Sequence, residues 1–291
     1  MLAGFDPETI NPRTAVEPTG ELRNGNNAVP SYVVGCVNGK CGGAGSIRSE
    51  RVLTHAVKSP FFTGPLRSPL RLQNTFAHEC FMDEISAYAR ADPVAYRLQH
   101  LRETRIIDVV KAAAKTANWD ARPSPKPGTV RTGTVTGRGI ACVAYEGDNG
   151  YAALVAEVEV GQASGRVQAS RFVVAHDCGP ISNPEGLRNQ IEGGVLQGMS
   201  RALGEEITWD DRKVTSIDWQ SYNTLPLGIQ VPIIESVLID RPEAKATGAG
   251  ETAITLVAAA IGNAIFDATG ARLREVPFTP DRVKATLSSR G

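Results

Sequence analysis

The stretch YAALVAEVEV, GQASG, RVQASRFVVAH, residues 151–176, constrains the fold more than any other. Leu154, Ala156, Val158 and Val160 alternate with Glu157 and Glu159, the glycine-bearing GQASG makes a turn, and a second apolar run returns. A period of two across a short turn is the signature of an antiparallel hairpin, and the alternation predicts two half-buried strands. GRGIACVAY just before it reads as a further strand leading into the hairpin.

Around this hairpin the period is helical. Phe76, Cys80, Ile85 and Tyr88 recur at near-helical spacing, and Asp92-Pro93 reads as the N-cap and first-turn proline of a second helix with Val94, Leu98 and Leu101 inward. DVVKAAAKTANW predicts a third helix, followed by the proline-rich connector RPSPKPG. Beyond the hairpin, EGLRNQIEGGVLQGMSRALGE predicts a helix with glycines on one side, and KVTSIDW and PIIESVLID are strand candidates. ETAITLVAAAIGNAIFDATG predicts a helix with Ile254, Val257, Ile261 and Ile265 on one face and Gly270 as its stop, and Thr279-Pro280 opens a last one. Strands and helices without strict alternation predict an α+β fold of mixed sheet and packed helices. The expected divisions are a loop-rich segment over 1–65, with a short extended candidate at SYVVGCV, that packs on a partner; a helical segment over 66–135; and an α+β catalytic segment over 136–291.

Composition excludes several functions. With 31 Lys plus Arg against 31 Asp plus Glu there is no overall field to recruit nucleic acid or anionic lipid, so no nucleic-acid partner is expected. No stretch approaches the roughly 18 apolar residues of a membrane span, and MLAGFDPETI lacks the basic and apolar regions of a signal peptide. Five scattered cysteines make no disulfide framework and favour a reduced, cytoplasmic compartment; a periplasmic or membrane-associated setting would come through partners. Cys36 and Cys41 have no second cysteine pair in range for zinc.

Four motifs carry candidate chemistry. In TGAGETAITL, Gly248 and Gly250 precede Glu251 at the head of an apolar helix. A first-turn Glu is favoured by the helix dipole and by capping, worth about 0.3–1 kcal/mol. The sharper reading is that the glycines permit positive φ and close approach to a bulky ligand, aiming Glu251 into a cleft as a general base. The loop lacks the Lys-Ser/Thr ending of a phosphate-binding loop and the dinucleotide fingerprint. In NQIEGGVLQG, glycines that each cost about 1 kcal/mol in a helix sit with Gln190 and Gln197, which implies either tight helix packing or a heterocyclic cofactor needing amide contacts. Arg67 and Arg71 in LRSPLRL read, taken alone, as solvated surface cations. The run His176, Asp177, Cys178 cannot aim three adjacent side chains at one point from a strand.

In this order, LRSPLRLQNTFAHECFMDE, DPVAYRLQHL, GRGIACVAY, DCGPISNPEGLRNQIEGGVLQGMSRALGEE and ATGAGETAITLVAAAIGNAIFDATGARLREVPFTP resemble the molybdopterin-binding large subunit of the xanthine oxidase and aldehyde oxidase family, in the branch of isoquinoline 1-oxidoreductase and nicotinate dehydrogenase. The resemblance implies a molybdenum hydroxylase that adds water-derived oxygen to a nitrogen heteroaromatic small molecule, with aldehyde oxidation or a purely docking half-subunit as the alternatives. It implies Glu251 as the base on the Mo-bound hydroxyl, Gln190 and Arg67 with Gly248 and Gly250 at the cofactor, and no direct metal ligand, since the pterin dithiolene holds molybdenum. The implied cofactor is molybdopterin, as the cytosine dinucleotide, with 2Fe-2S clusters on an iron-sulfur small subunit and a cytochrome or other electron acceptor beyond it. SPLR after Arg67 and Thr252-Ala253 after Glu251 depart from the purine-oxidising branch and argue against a purine substrate. The family's Met-Gly-Gln-Gly loop is missing from this sequence, so the resemblance implies the C-terminal half of a large subunit, with a partner carrying the N-terminal half.

Overall fold

The computed structural model describes residues 36–37, 40–41, 66–68, 71–128, 132–146, 148–225 and 230–289. Apart from a two-residue antiparallel pair, β1 (Cys36–Val37) with β2 (Lys40–Cys41), the segment expected over 1–65 and the rest of its extended candidate lie outside the described residues. The remaining order is α1 (Arg71–Tyr88), α2 (Pro93–His100), α3 (Thr104–Thr116), β3 (Thr134–Ala144), β4 (Tyr151–Gly161), β5 (Val167–Asp177), α4 (Pro184–Leu203), β6 (Ile233–Leu238), α5 (Ile254–Thr269) and α6 (Pro280–Ser288). This is the α+β architecture expected.

The sheet runs β3-β4-β5-β6. Its first two pairings are antiparallel and the last is parallel, because α4 carries the chain from the end of β5 over to β6. Several ends are set by local chemistry. The Asp92 carboxylate accepts from Ala95 N ahead of Pro93, Asn183 accepts from Gly186 N ahead of Pro184, and Thr279 caps α6. Gly270 ends α5 in the left-handed conformation at φ 69°.

Both faces of the sheet are covered. On one side Ala152, Leu154, Ala156, Phe172 and Val174 pack with α5, α4 and Phe76 and Cys80 of α1; on the other Ala153, Val155, Val173 and Ala175 pack with Ile106, Val109, Val110 and Ala113 of α3. The half-buried reading of β4 is therefore corrected: residues 151–156 are buried on both faces, and only beyond them do Glu157 and Glu159 reach water. KVTSIDW is not a strand. Val214 makes one isolated bridge to Trp209, and Asp218 Oδ1 accepts from the amides of Gln220 and Ser221, so side chains take the place of a ladder. Among the described residues no helix is long and apolar enough to cross a membrane.

Helix α5 lies directly on β3. A Cβ at Gly137 would overlap the Ala264 carbonyl oxygen and one at Gly139 the Ala260 carbonyl oxygen, both backbone atoms that cannot yield. The free edge of β3 is closed by side chains: Cys142 N donates to Glu79 Oε2 at 2.8 Å, and Asn263 Nδ2 donates to Ile140 O at 3.0 Å. Glu79, fully buried, also accepts from Arg97 Nε at 3.0 Å. Asp83 and Arg272, paired at 2.8 Å, extend the network to the chain that follows α5.

Gly139→Ala should lower the thermal midpoint of the assembled protein by roughly 6–12 °C, since overpacking against backbone costs about 3 kcal/mol. Gly193→Ala, whose added Cβ meets nothing within 4 Å, should leave the midpoint unchanged or slightly raised. Differential scanning calorimetry of both variants checks the pair.

Candidate active site

The loop that follows β6 reaches α5 through residues 247–253. Thr247 N donates to Cys178 O at 2.9 Å and Gly248 N to Asn149 Oδ1 at 3.3 Å, fastening the loop to the ends of β5 and of the β3–β4 hairpin. Ala253, without a side-chain cap, precedes Ile254 as N-cap of α5, so Glu251 stands outside the helix and does not cap it. The capping reading is thereby corrected. Glu251 is held from two other directions instead: its Oε1 accepts from Ser68 N at 3.1 Å and its Oε2 from Tyr145 Oη at 2.7 Å. The Ser68 hydroxyl donates in turn to the Glu251 backbone carbonyl. Ser68 is buried and sits at φ 67°, a left-handed conformation that costs a non-glycine residue energy and here aims its amide at the carboxylate.

Gly248 and Gly250 are not in the left-handed region, which corrects the expectation that they supply positive φ. Their missing side chains leave space: a Cβ on Gly248 would meet only Asn149 Oδ1 at 3.9 Å, and one on Gly250 only Gln190 Oε1 at 3.8 Å. Beside them the Thr252 hydroxyl is buried with no hydrogen-bond partner among the described residues.

Arg67 is not a solvated cation. Its Nε donates to Gly250 O at 2.5 Å, one terminal nitrogen to Gln197 Oε1 at 3.2 Å, and the other to Gln190 O at 3.3 Å and Gln190 Oε1 at 3.1 Å. Burial lowers its pKa, and the nearby Glu251 charge opposes that. A guanidinium only donates, so it fixes both glutamines with their oxygens inward and their amide NH2 groups outward. Those NH2 groups have no acceptor among the described residues. The glycines of α4 divide by role: a Cβ on Gly198 would press on Val257 of α5 at 2.7 Å, so packing demands it, whereas Gly193 is exposed and faces open space. Arg71, half-buried at the start of α1, has its pKa lowered by burial, which the charge of Glu146 opposes.

The structure thus brings Glu251, Gly250, Arg67 and Gln190 together, with Gly248 at the margin. Sequence reasoning missed Ser68 and Tyr145. The only signals were a Ser-Pro step before a helical run and a tyrosine at the end of a strand, neither of which names a partner. His176, Asp177 and Cys178 lie apart from this group in function. Asp177 is locked between Arg105 and Arg241; burial opposes its charge, but hydrogen bonds from Arg105, the Gly179 amide and Arg241 hold its pKa below the usual carboxylate range. Burial pushes the Cys178 thiol up, and both His176 ring nitrogens are buried without hydrogen-bond partners among the described residues.

Residues 89–224 match the family described as molybdopterin cofactor-binding domain; that range includes Gln190 and Gln197 and stops short of Glu251. The chain is 40% identical over 232 residues to a nicotinate dehydrogenase subunit of Pseudomonas putida, covering 78% of this chain and 20% of that protein. It is 32% identical over 209 residues to the beta subunit of isoquinoline 1-oxidoreductase of Brevundimonas diminuta, covering 72% of this chain and 26% of the other. It therefore spans about a fifth to a quarter of the length of these relatives. Among solved structures, the aldehyde oxidoreductase of Desulfovibrio desulfuricans superposes with a TM-score of 0.66 at 16% identity over 77% of this chain and 41% of that one, a likeness of fold.

Burial lowers the His176 pKa from 6.5 to about 4, against the pull of Asp177. The unfolded chain therefore takes up this proton first as pH falls, so stability is full above about pH 6.5 and declines towards pH 4, by up to about 3 kcal/mol. Denaturant unfolding across that range should show the decline, and His176→Leu should flatten it while the other three histidines remain.

Proposed function

Because this chain belongs with the molybdopterin cofactor-binding domains of the xanthine oxidase and aldehyde oxidoreductase family, we propose that it forms the base-bearing wall of a molybdenum hydroxylase that oxidises a nitrogen heteroaromatic. The substrate class rests on the two relatives named for nicotinate and isoquinoline. The observation that carries the catalytic role is the Glu251 carboxylate, held between Ser68 N and Tyr145 Oη, beside the open positions of Gly248 and Gly250.

The residues fit the cofactor. Outward NH2 groups of Gln190 and Gln197 offer donors to an acceptor-rich pterin, the Thr252 hydroxyl adds a buried polar group near the loop, and the absent side chains at Gly248 and Gly250 leave room for close approach. Arg67 ties the Gln190 side of this surface to the Gly250 carbonyl and so fixes the distance between cofactor contacts and base. When bound, the molybdenum centre supplies Lewis acidity and a two-electron sink.

In the net reaction an aromatic C–H bond and water give C–OH, two protons and two electrons. Glu251 accepts the proton of the water-derived nucleophile as the C–O bond forms, then releases it to solvent. 2Fe-2S clusters on an iron-sulfur subunit, with a cytochrome or other acceptor beyond them, would supply the route for the electrons. The remainder of the large subunit supplies the other cofactor contacts, including those to the cytosine dinucleotide. In this reading residues 136–291 present the cofactor-facing surface, and the helices of 66–135 buttress it.

Glu251→Gln in the complete complex should retain molybdenum and subunit composition while turnover of a heteroaromatic substrate falls at least about a hundredfold. Metal analysis and steady-state assays on one preparation read both quantities. Turnover that survives the substitution would leave the chain a docking role alone.

A further inference from the structure

We propose that Tyr145 is a positioning residue for the Glu251 carboxylate, its hydroxyl acting with the Ser68 amide to keep that carboxylate turned towards the open glycine loop. The inference rests on the catalytic reading of Glu251. Tyr145 is 3% exposed and begins a turn: its N donates to Gly150 O at 2.8 Å, and its carbonyl accepts from Asn149 N at 2.8 Å. The same turn holds the glycine loop twice, through Asn149 Oδ1 on Gly248 N and through Tyr145 Oη on Glu251 Oε2. Gly150, at φ 117°, brings its backbone close to Gly248 O and the Thr252 hydroxyl, which no residue with a side chain would permit without strain. The β3–β4 turn is thus a clamp on the catalytic loop, and Tyr145 is the jaw that touches the reacting side chain.

A carboxylate offers about four lone-pair directions. Ser68 N and Tyr145 Oη occupy one on each oxygen, which fixes the plane of the group and leaves the remaining directions for the incoming proton. Tyr145 keeps its own proton: burial first, then the hydrogen bond and charge of Glu251, raise the phenol above its ordinary value. It is a fixed donor, not a relay. Charged groups around the pair are Arg67 and Arg71 before and at the start of α1, Arg201 on α4, and Glu146 beside Tyr145.

The test compares Tyr145→Phe and Glu251→Gln in the complete complex. In Tyr145→Phe kcat should fall about tenfold with KM little changed, because the freed carboxylate swings away from the reacting atoms while substrate contacts stay. Independently of turnover, infrared difference spectra of the cofactor-free complex at one fixed pH should contain a carboxylate band that vanishes in Glu251→Gln and shifts in frequency in Tyr145→Phe, where the phenol hydrogen bond is lost. An unchanged kcat and an unmoved band overturn the proposal. 3-Fluorotyrosine at position 145, an almost isosteric and stronger donor, should shift the band frequency relative to the unmodified complex; if it does not, the proposal fails even where Tyr145→Phe does not assemble. Survival of turnover in Glu251→Gln would sink the base role, while the band would still report whether Tyr145 controls Glu251.

Discussion

A single buried carboxylate, Glu79, holds together the parts from which the candidate site is made. An edge strand covered by helices faces an accounting problem, because its outward N–H and C=O groups lose water without gaining a neighbouring strand. Glu79 accepts from Cys142 N, and Asn263 of α5 donates to both Ile140 O and the Glu79 carbonyl, so two side chains replace the missing ladder. The charge is offset by Arg97 of α2, itself fully buried, and removing one member of such a pair typically costs about 3–5 kcal/mol. Through these contacts α1, α2, α5 and β3 are locked in mutual register. Arg67 and Ser68 precede α1, Tyr145 follows β3 and Glu251 precedes α5, so the lock also sets where the site residues meet.

The direct seating of α5 on β3 has the same effect at closer range. Gly137 and Gly139 remove the side chains that would hold helix and strand apart, and the apolar run from Ile254 to Ala268 is buried almost all round. Its hydrophobicity therefore belongs to a helix inside the protein and carries no implication of a membrane.

Much of this was legible in the sequence because it depends on local chemistry. The Asp92-Pro93 and Thr279-Pro280 starts, the Gly270 stop and the β4–β5 hairpin are properties of a few neighbouring residues, and they stand where the pattern placed them. Glu251 was visible through its glycines and its motif, although the glycines serve by leaving space instead of by adopting positive φ. What could not be read is what depends on distant partners. Arg67 looks like any surface arginine until Gly250, Gln190 and Gln197 surround it, and nothing in LRSPL or VAYEG announces that Ser68 and Tyr145 share one carboxylate. KVTSIDW has a strand-like composition, yet Asp218 and Ser221 satisfy the backbone locally and a ladder does not form.

The contacts that aim Glu251 join residues 183 and 106 positions apart in sequence, from Ser68 and Tyr145 respectively. Contacts of such span form only when most of the chain has already been gathered, since each closes a long loop. An incompletely folded chain can carry every helix described above and still present a swinging, water-exposed glutamate. The geometry of the candidate site is therefore a late product of folding, and damage far from it, in the seat of α1 or the edge of β3, would register as a misdirected Glu251 carboxylate before it registered as an unfolded protein.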